Sequence, residues 1–229
     1  MIKNKYINNI SSTRHSDQKK YYIEYLKKQR RAERNKFSIL GRHHENLNNF
    51  VRQALNTLPA GSRILDAGCG LSGWTTFNLR EKYNISGVDG EPEAIEFCKK
   101  IYKRQDYRVG NLYNLTSYKK NYYDAIVMRE VIEHFITPER AVKEIFRILK
   151  PNGLCIITTP NYNNLFTHII EHTYSRIFGG ACKPYKDEVH PSKFTPHSLK
   201  LLLEKYFVIE KLEIIDYGIS QICIARKSR

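Results

Sequence analysis

Residues 64–74 read ILDAGCGLSGW: a short apolar run, then glycines at Gly68, Gly70 and Gly73 in the spacing G-x-G-x-x-G. Arg63 to Ala67 reads as a buried strand and residues 73–82 as a helix, so the glycines fall at a strand-to-helix turn. Outward from this turn the pattern keeps alternating. Residues 85–89 form a second strand, and a helix opening at Pro92 carries Ala94, Ile95, Cys98, Ile101 and Tyr102 inward. A short strand follows at 107–109, then a strand at 123–129. Thr137-Pro138 gives a start signal for a helix through Leu149, and Pro151-Asn152-Gly153 turns into a strand at 154–159. This βαβαβ order with short connections demands a parallel sheet covered on both faces. Thr195-Pro196 opens a helix burying Leu199, Leu202, Leu203 and Tyr206. Strands at 207–215 and 219–226, joined by Asp216-Tyr217-Gly218, end the chain as a hairpin. The expectation is an α/β, doubly wound sheet, mostly parallel, with a C-terminal antiparallel hairpin and an N-terminal helical cap.

At 229 residues the chain has room for one such domain, 47–229, preceded by a basic segment, 1–46. Leu47, Phe50, Val51, Ala54, Leu55 and Leu58 recur at helical spacing ahead of Pro59. No stretch approaches eighteen apolar residues, so no membrane span is expected. Met1 to Ile10 is interrupted by Lys3, Asn4, Lys5, Asn8 and Asn9 and lacks the apolar core of a secretory signal. Cys69, Cys98, Cys155, Cys182 and Cys223 are scattered and show no metal-ligand spacing. A reduced, cytoplasmic protein is the expectation. The net charge is +15, and residues 1–60 hold thirteen Lys/Arg against four acids. Such a surface attracts phosphates, anionic lipid or nucleic acid. It equally fits a Lys- and Asn-rich bias that runs through the whole chain.

A glycine turn after a strand is weak evidence alone; its context narrows the ligand. Asp89 ends the second strand, where an acid takes ribose hydroxyls. Asp66 stands two residues before Gly68, where a dinucleotide would place its pyrophosphate. A carboxylate there repels phosphate by about 3 kcal/mol at ~5 Å and an effective dielectric near 20. S-adenosylmethionine carries no phosphate and offers an ammonium and a sulfonium, so Asp66 favours it. The other reading of Asp66 is a residue that only holds the turn.

The blocks LDAGCG, ISGVD, VGNLYNL, YDAIVMREVIEH and LKPNGLCIITTPN together resemble the class I S-adenosylmethionine-dependent methyltransferases, with their Rossmann-like fold, over residues 47–226. The resemblance implies that Asp66 supports the methionine amino group, that Gly68 and Gly70 pass under the cofactor, and that Asp89 takes the ribose. It places Ala67, Cys69, Gly90, Leu112 and Arg129 around the same ligand. Trp74 and Tyr113 are candidate flanks for adenine, with plain packing as the equal reading of an aromatic in the first helical turn. Asn111 stands where most members carry Asp, and Ser72 where glycine is frequent. His43 and His44 lie where members often place a cofactor lid; solvated side chains are the plainer reading.

The carboxyl edge of the 123–129 strand should face the methyl acceptor. It reads Arg129, Glu130, Val131, Ile132, Glu133, His134. A helical turn there would put Glu130, Glu133 and His134 on one face. EVIEH, with His190 later, resembles the ubiquinone-biosynthesis O-methyltransferases and the small-RNA terminal 2′-O-methyltransferases. That resemblance implies a divalent metal held by Glu130, Glu133, His134 and His190, of the Mg²⁺, Mn²⁺ or Zn²⁺ kind. Two readings stand beside it: the same residues as metal-free acid-base groups, and a purely structural helix start. Residues 160–192 are expected as an acceptor lid, with Leu165, Phe166, Ile169, Ile170, Thr173 and Ile177 on one face that packs inward or meets lipid. The expected partner is a small or lipid-like methyl acceptor, with O- or N-methylation. RNA methylation, and a cofactor-binding protein without turnover, are the alternatives.

Overall fold

The computed structural model describes residues 39–71, 79–103, 106–169 and 190–228. Among these, helix α1 (Ile39–Leu55) precedes strands β1 (Arg63–Ala67) and β2 (Asn84–Asp89), helix α2 (Pro92–Ile101) and strands β3 (Asp106–Val109) and β4 (Tyr123–Arg129). A single 3-10 turn (Ile132–His134) leads to α3 (Pro138–Ile148) and β5 (Leu149–Pro160). The short α4 (Leu165–Ile169), then α5 (Pro196–Leu203), β6 (Phe207–Ile215) and β7 (Ser220–Lys227) complete the order. The strands form one sheet, β3-β2-β1-β4-β5-β7-β6. β1 to β5 are parallel, and β7 runs antiparallel to β5 and β6. The strand order reverses between β1 and β4, which opens a crevice at their carboxyl ends.

The central strands are apolar on both sides because both faces are covered. Ile64, Ala125 and Val127 pack toward Leu47, Val51 and Leu55 of α1. Their neighbours Leu65, Ile126 and Met128 pack toward α3 and α5. Each fully buried aliphatic chain contributes about 1.5–3 kcal/mol of hydrophobic burial. The tight β2–β3 neighbourhood needs Gly87, where a Cβ would lie 2.3 Å from the Tyr107 ring.

Several elements differ from the sequence expectation. α1 begins at Ile39, eight residues before the apolar stripe, so the helix spans the boundary set at residue 46 and includes His43 and His44. Polar contacts tie its early part to the C-terminal hairpin. His43 Nδ1 lies 2.6 Å from Asp216 Oδ2, and Asn46 donates to Asp216 Oδ1 at 2.6 Å. Thr137 makes no side-chain cap, and Pro138 alone opens α3, whereas Thr195 and Ser198 form a full capping box at α5. The Pro151–Gly153 turn is a bulge inside β5: Tyr123 pairs with Leu149, and Ala125 pairs with Leu154. The stretch expected as helix at 73–82 lies outside the described residues up to 78, and 79–82 are turn. In α4 the buried residue is Thr167, while Leu165, Phe166 and Ile169 face outward. Ile170, Thr173, Ile177 and most of the expected lid lie outside the described residues, as does the segment 1–38. No helix among the described residues is long and apolar enough to cross a membrane.

Candidate functional site

The glycine turn sits at the β1/β4 crevice. Gly68 and Gly70 both adopt positive φ, +81° and +52°, backbone that a side chain disfavours. The Gly68 and Cys69 amides donate to Val88 O at 2.7 and 3.1 Å, which folds the turn back over β2. Asp89 is buried at the end of β2. Its Oδ2 accepts from the Gly70 amide at 2.8 Å and its Oδ1 from the Glu91 amide at 2.9 Å. The acid expected to hold a ribose therefore also anchors the turn, with lone pairs beyond these two bonds. Asp66 is buried on β1 beside it. Cys69 and Cys98 are buried free thiols; a hydrogen bond to Cys98 and burial push the Cys69 thiol well above its ordinary range. Cys69 thus offers backbone rather than nucleophilic chemistry. Across the crevice, Gly90 is exposed and Leu112 buried, and Asn111 Oδ1 accepts from the Tyr113 amide at 2.9 Å, closing an Asx turn. Tyr113 is half-buried against Phe135, with ring centroids 5.0 Å apart. Trp74 lies outside the described residues.

Arg129 ends β4. Val127 pairs with Asp66, so two residues on Arg129 comes level with Gly68. Its guanidinium Nη1 stands 3.1 Å from Nδ1 of the buried His44 on α1. Burial, then the Arg129 charge, hold the His44 pKa well below its ordinary value, so the ring is neutral at pH 7.

The residues expected to face a methyl acceptor begin one position later. Glu130 has φ +55° and is not helical; its amide and Oε1 both bond Thr158 on β5. This breaks the helical face expected from the spacing and turns Glu130 away from the other candidates. Glu133, His134 and His190 do come together, with one ligand atom from each lying within 4.8 Å of the others. Glu133 is 1% exposed, and Thr159 Oγ1 donates to its Oε2 at 2.9 Å. His134 and His190 pack edge to face, centroids 4.7 Å apart. His190, fifty-six positions away in the chain, is brought in by backbone: the Ser192 amide donates to Glu133 O and its hydroxyl to Phe135 O. The Tyr162 hydroxyl lies 2.5 Å from His190 Nδ1 and sets the ring.

Four residues that matter here were not singled out from the sequence. Tyr162 had no signal, since its role depends on a loop contact. Thr158 and Thr159 had one: a polar pair ending an apolar strand next to β4 points at the same crevice. Val131 had none, yet a Cβ on Gly68 would lie 2.5 Å from its Cγ2. The bare face of Gly68 thus seats the turn that carries Glu133 and His134.

The fold and site define a class, and residues 65–157 match the family model for a methyltransferase domain. Over those residues the chain has the strand order and motifs of the class I S-adenosylmethionine-dependent methyltransferases, a class that uses that methyl donor. Among curated proteins, a probable S-adenosylmethionine-dependent methyltransferase of Mycolicibacterium smegmatis is 32% identical over 120 residues, 52% of this chain and 45% of that one. The mitochondrial ubiquinone biosynthesis O-methyltransferase of Bos taurus is 35% identical over 153 residues, 63% of this chain and 40% of that one. The chain therefore spans about half the length of the curated relatives it matches. A solved S-adenosylmethionine-dependent methyltransferase from Methanosarcina mazei shares the fold, with a TM-score of 0.60 at 22% identity, covering 76% of this chain and 95% of that one.

Proposed function

We propose that this chain is a working methyltransferase that transfers the methyl group of S-adenosylmethionine to a hydroxyl of a small or lipid-like metabolite. The observation that carries the reading is the group Glu133, His134 and His190, one short turn beyond the glycine loop. In-line transfer forms the O–CH₃ bond as the C–S bond breaks, leaving the electron pair on sulfur as a neutral thioether. Alignment provides much of the rate. The remaining requirement is removal of the hydroxyl proton. With Nδ1 of His190 engaged by Tyr162, proton exchange at that ring runs through Nε2. Glu133, fixed by Thr159, supplies a buried carboxylate beside the two imidazoles. One carboxylate and two imidazoles also suit a divalent cation, which when bound would lower the pKa of the acceptor hydroxyl.

O-methylation is supported by the named activity of the ubiquinone biosynthesis relatives. A lipid-like acceptor is supported by Leu165 and Phe166, which stand exposed on α4 just beyond Tyr162. RNA as acceptor is the second reading, favoured by the +15 charge. Radiolabelled methyl transfer into cell extract, with and without ribonuclease, separates them. The proposal expects label in an organic-soluble fraction that survives ribonuclease and is lost in Glu133→Gln. Label that disappears with ribonuclease assigns RNA instead, and absence of any label favours a binding protein without turnover. Chelation followed by metal add-back decides whether a cation takes part.

A further inference from the structure

Beside Asp66 the crevice holds a fixed positive charge. Arg129 ends β4 level with Gly68, and its orientation depends on a residue from a different part of the chain. A guanidinium has only N–H donors, so at 3.1 Å the Nδ1 of His44 must be the acceptor. This fixes the neutral tautomer with the proton on Nε2. Burial keeps that ring neutral, in line with the same assignment. His44 is in turn placed by α1. Its neighbour His43 is paired with Asp216, and Asn46 bonds the same carboxylate, so this turn of the helix is tied to the β6–β7 hairpin.

The methionine end of S-adenosylmethionine is a zwitterion, an ammonium and a carboxylate on one carbon. Asp66 and Arg129 present the complementary pair at the mouth of β1 and β4, and an arginine fork suits a carboxylate. Resting on the donor-site reading above, we infer that Arg129 takes the donor's carboxylate and that His44 is its positioning residue. Donor recognition is thereby coupled to the seating of α1: the helix contributes no charge to the ligand, only an acceptor that holds the guanidinium in place.

The test compares binding of S-adenosylmethionine with binding of its decarboxylated form, which keeps the sulfonium, ribose, adenine and ammonium. Calorimetry on the full chain should show that the wild type prefers the carboxylated donor. In Arg129→Met the ratio of the two dissociation constants should fall about tenfold or more toward one. His44→Phe should lower the ratio too, through loss of the acceptor. His44→Asn, whose Oδ1 replaces Nδ1, should restore it. A partly unfolded variant lowers the stoichiometry and leaves the ratio alone, so the readout survives poor folding. The inference is overturned if Arg129→Met keeps the wild-type ratio. It is overturned as well if His44→Phe weakens both donors equally, or if His44→Asn fails to rescue. A wild type that binds neither donor would sink the donor-site reading, and this inference with it.

Discussion

Replacing Gly68 by alanine tests whether that glycine serves the ligand or the acceptor-side turn. The added Cβ would lie 2.5 Å from Cγ2 and 2.8 Å from Cγ1 of Val131, against an ordinary contact beyond 3.4 Å. Two terms add. Holding an L-residue at φ +81° costs about 1–2 kcal/mol. Overpacking against a branched side chain costs about 1–3 kcal/mol more. Gly68→Ala should therefore unfold in urea with roughly 2–5 kcal/mol less stability. The steric part belongs to Val131, whose truncation to alanine removes both clashing carbons. In the double variant Gly68→Ala/Val131→Ala the loss should fall short of the sum of the single losses by about 1–3 kcal/mol, leaving the backbone term. Methyl transfer should drop in Gly68→Ala even with donor bound, because pushing Val131 outward shifts Glu133 and His134. Strict additivity of the two substitutions, or full stability of Gly68→Ala, would refute the packing argument.

Further outcomes follow from the same contacts. Asp89→Ala should weaken S-adenosylmethionine binding by about 1.5–3 kcal/mol in calorimetry; it should also lower stability, because the Gly70 and Glu91 amides lose their acceptor. His44 has a depressed pKa, so the unfolded chain binds the extra proton. Stability should be constant above about pH 6.5 and fall as pH drops below it, by up to about 1.4 kcal/mol per pH unit, until the folded-state pKa is reached. His44→Asn should lack this component in denaturant titrations at pH 5.5 and 7.5. Lys227 Nζ donates to Asn121 Oδ1 and to the Phe146 and Leu149 carbonyls. Lys227→Met should cost about 1.5–3 kcal/mol in urea unfolding, with donor affinity unchanged.

The parallel sheet was legible because the strands are short apolar runs bounded by glycine, proline and acids, and because Asp66, Gly68 and Asp89 sit at strand ends. The crevice at the carboxyl ends of β1 and β4 followed from that order. The grouping of Glu133 with His134 and His190 was legible in composition, and its geometry was not. Helical spacing grouped Glu130 with Glu133 and His134, but a left-handed Glu130 and a single 3-10 turn redirect it to Thr158. Periodicity registers apolar faces, so it missed the start of α1, which is secured by the Asp216 contacts. Tyr162 and Ser192 act through contacts across loops, for which no local pattern exists. The glycine spacing signalled a close approach at Gly68; the neighbour that uses the space there is Val131.

Donor and acceptor are proposed to occupy separable halves of one crevice, Asp66 through Asp89 on one side and Glu133, His134 and His190 on the other. Rapid-quench mixing tests this division: protein pre-loaded with methyl-labelled S-adenosylmethionine is mixed with the organic-soluble fraction of cell extract, the fraction that accepts label in the ribonuclease experiment. Glu133→Gln should bind the donor like the wild type and transfer its methyl group about 100-fold more slowly or worse. Transfer by Glu133→Gln at the wild-type rate, or loss of donor binding in that variant, would contradict it.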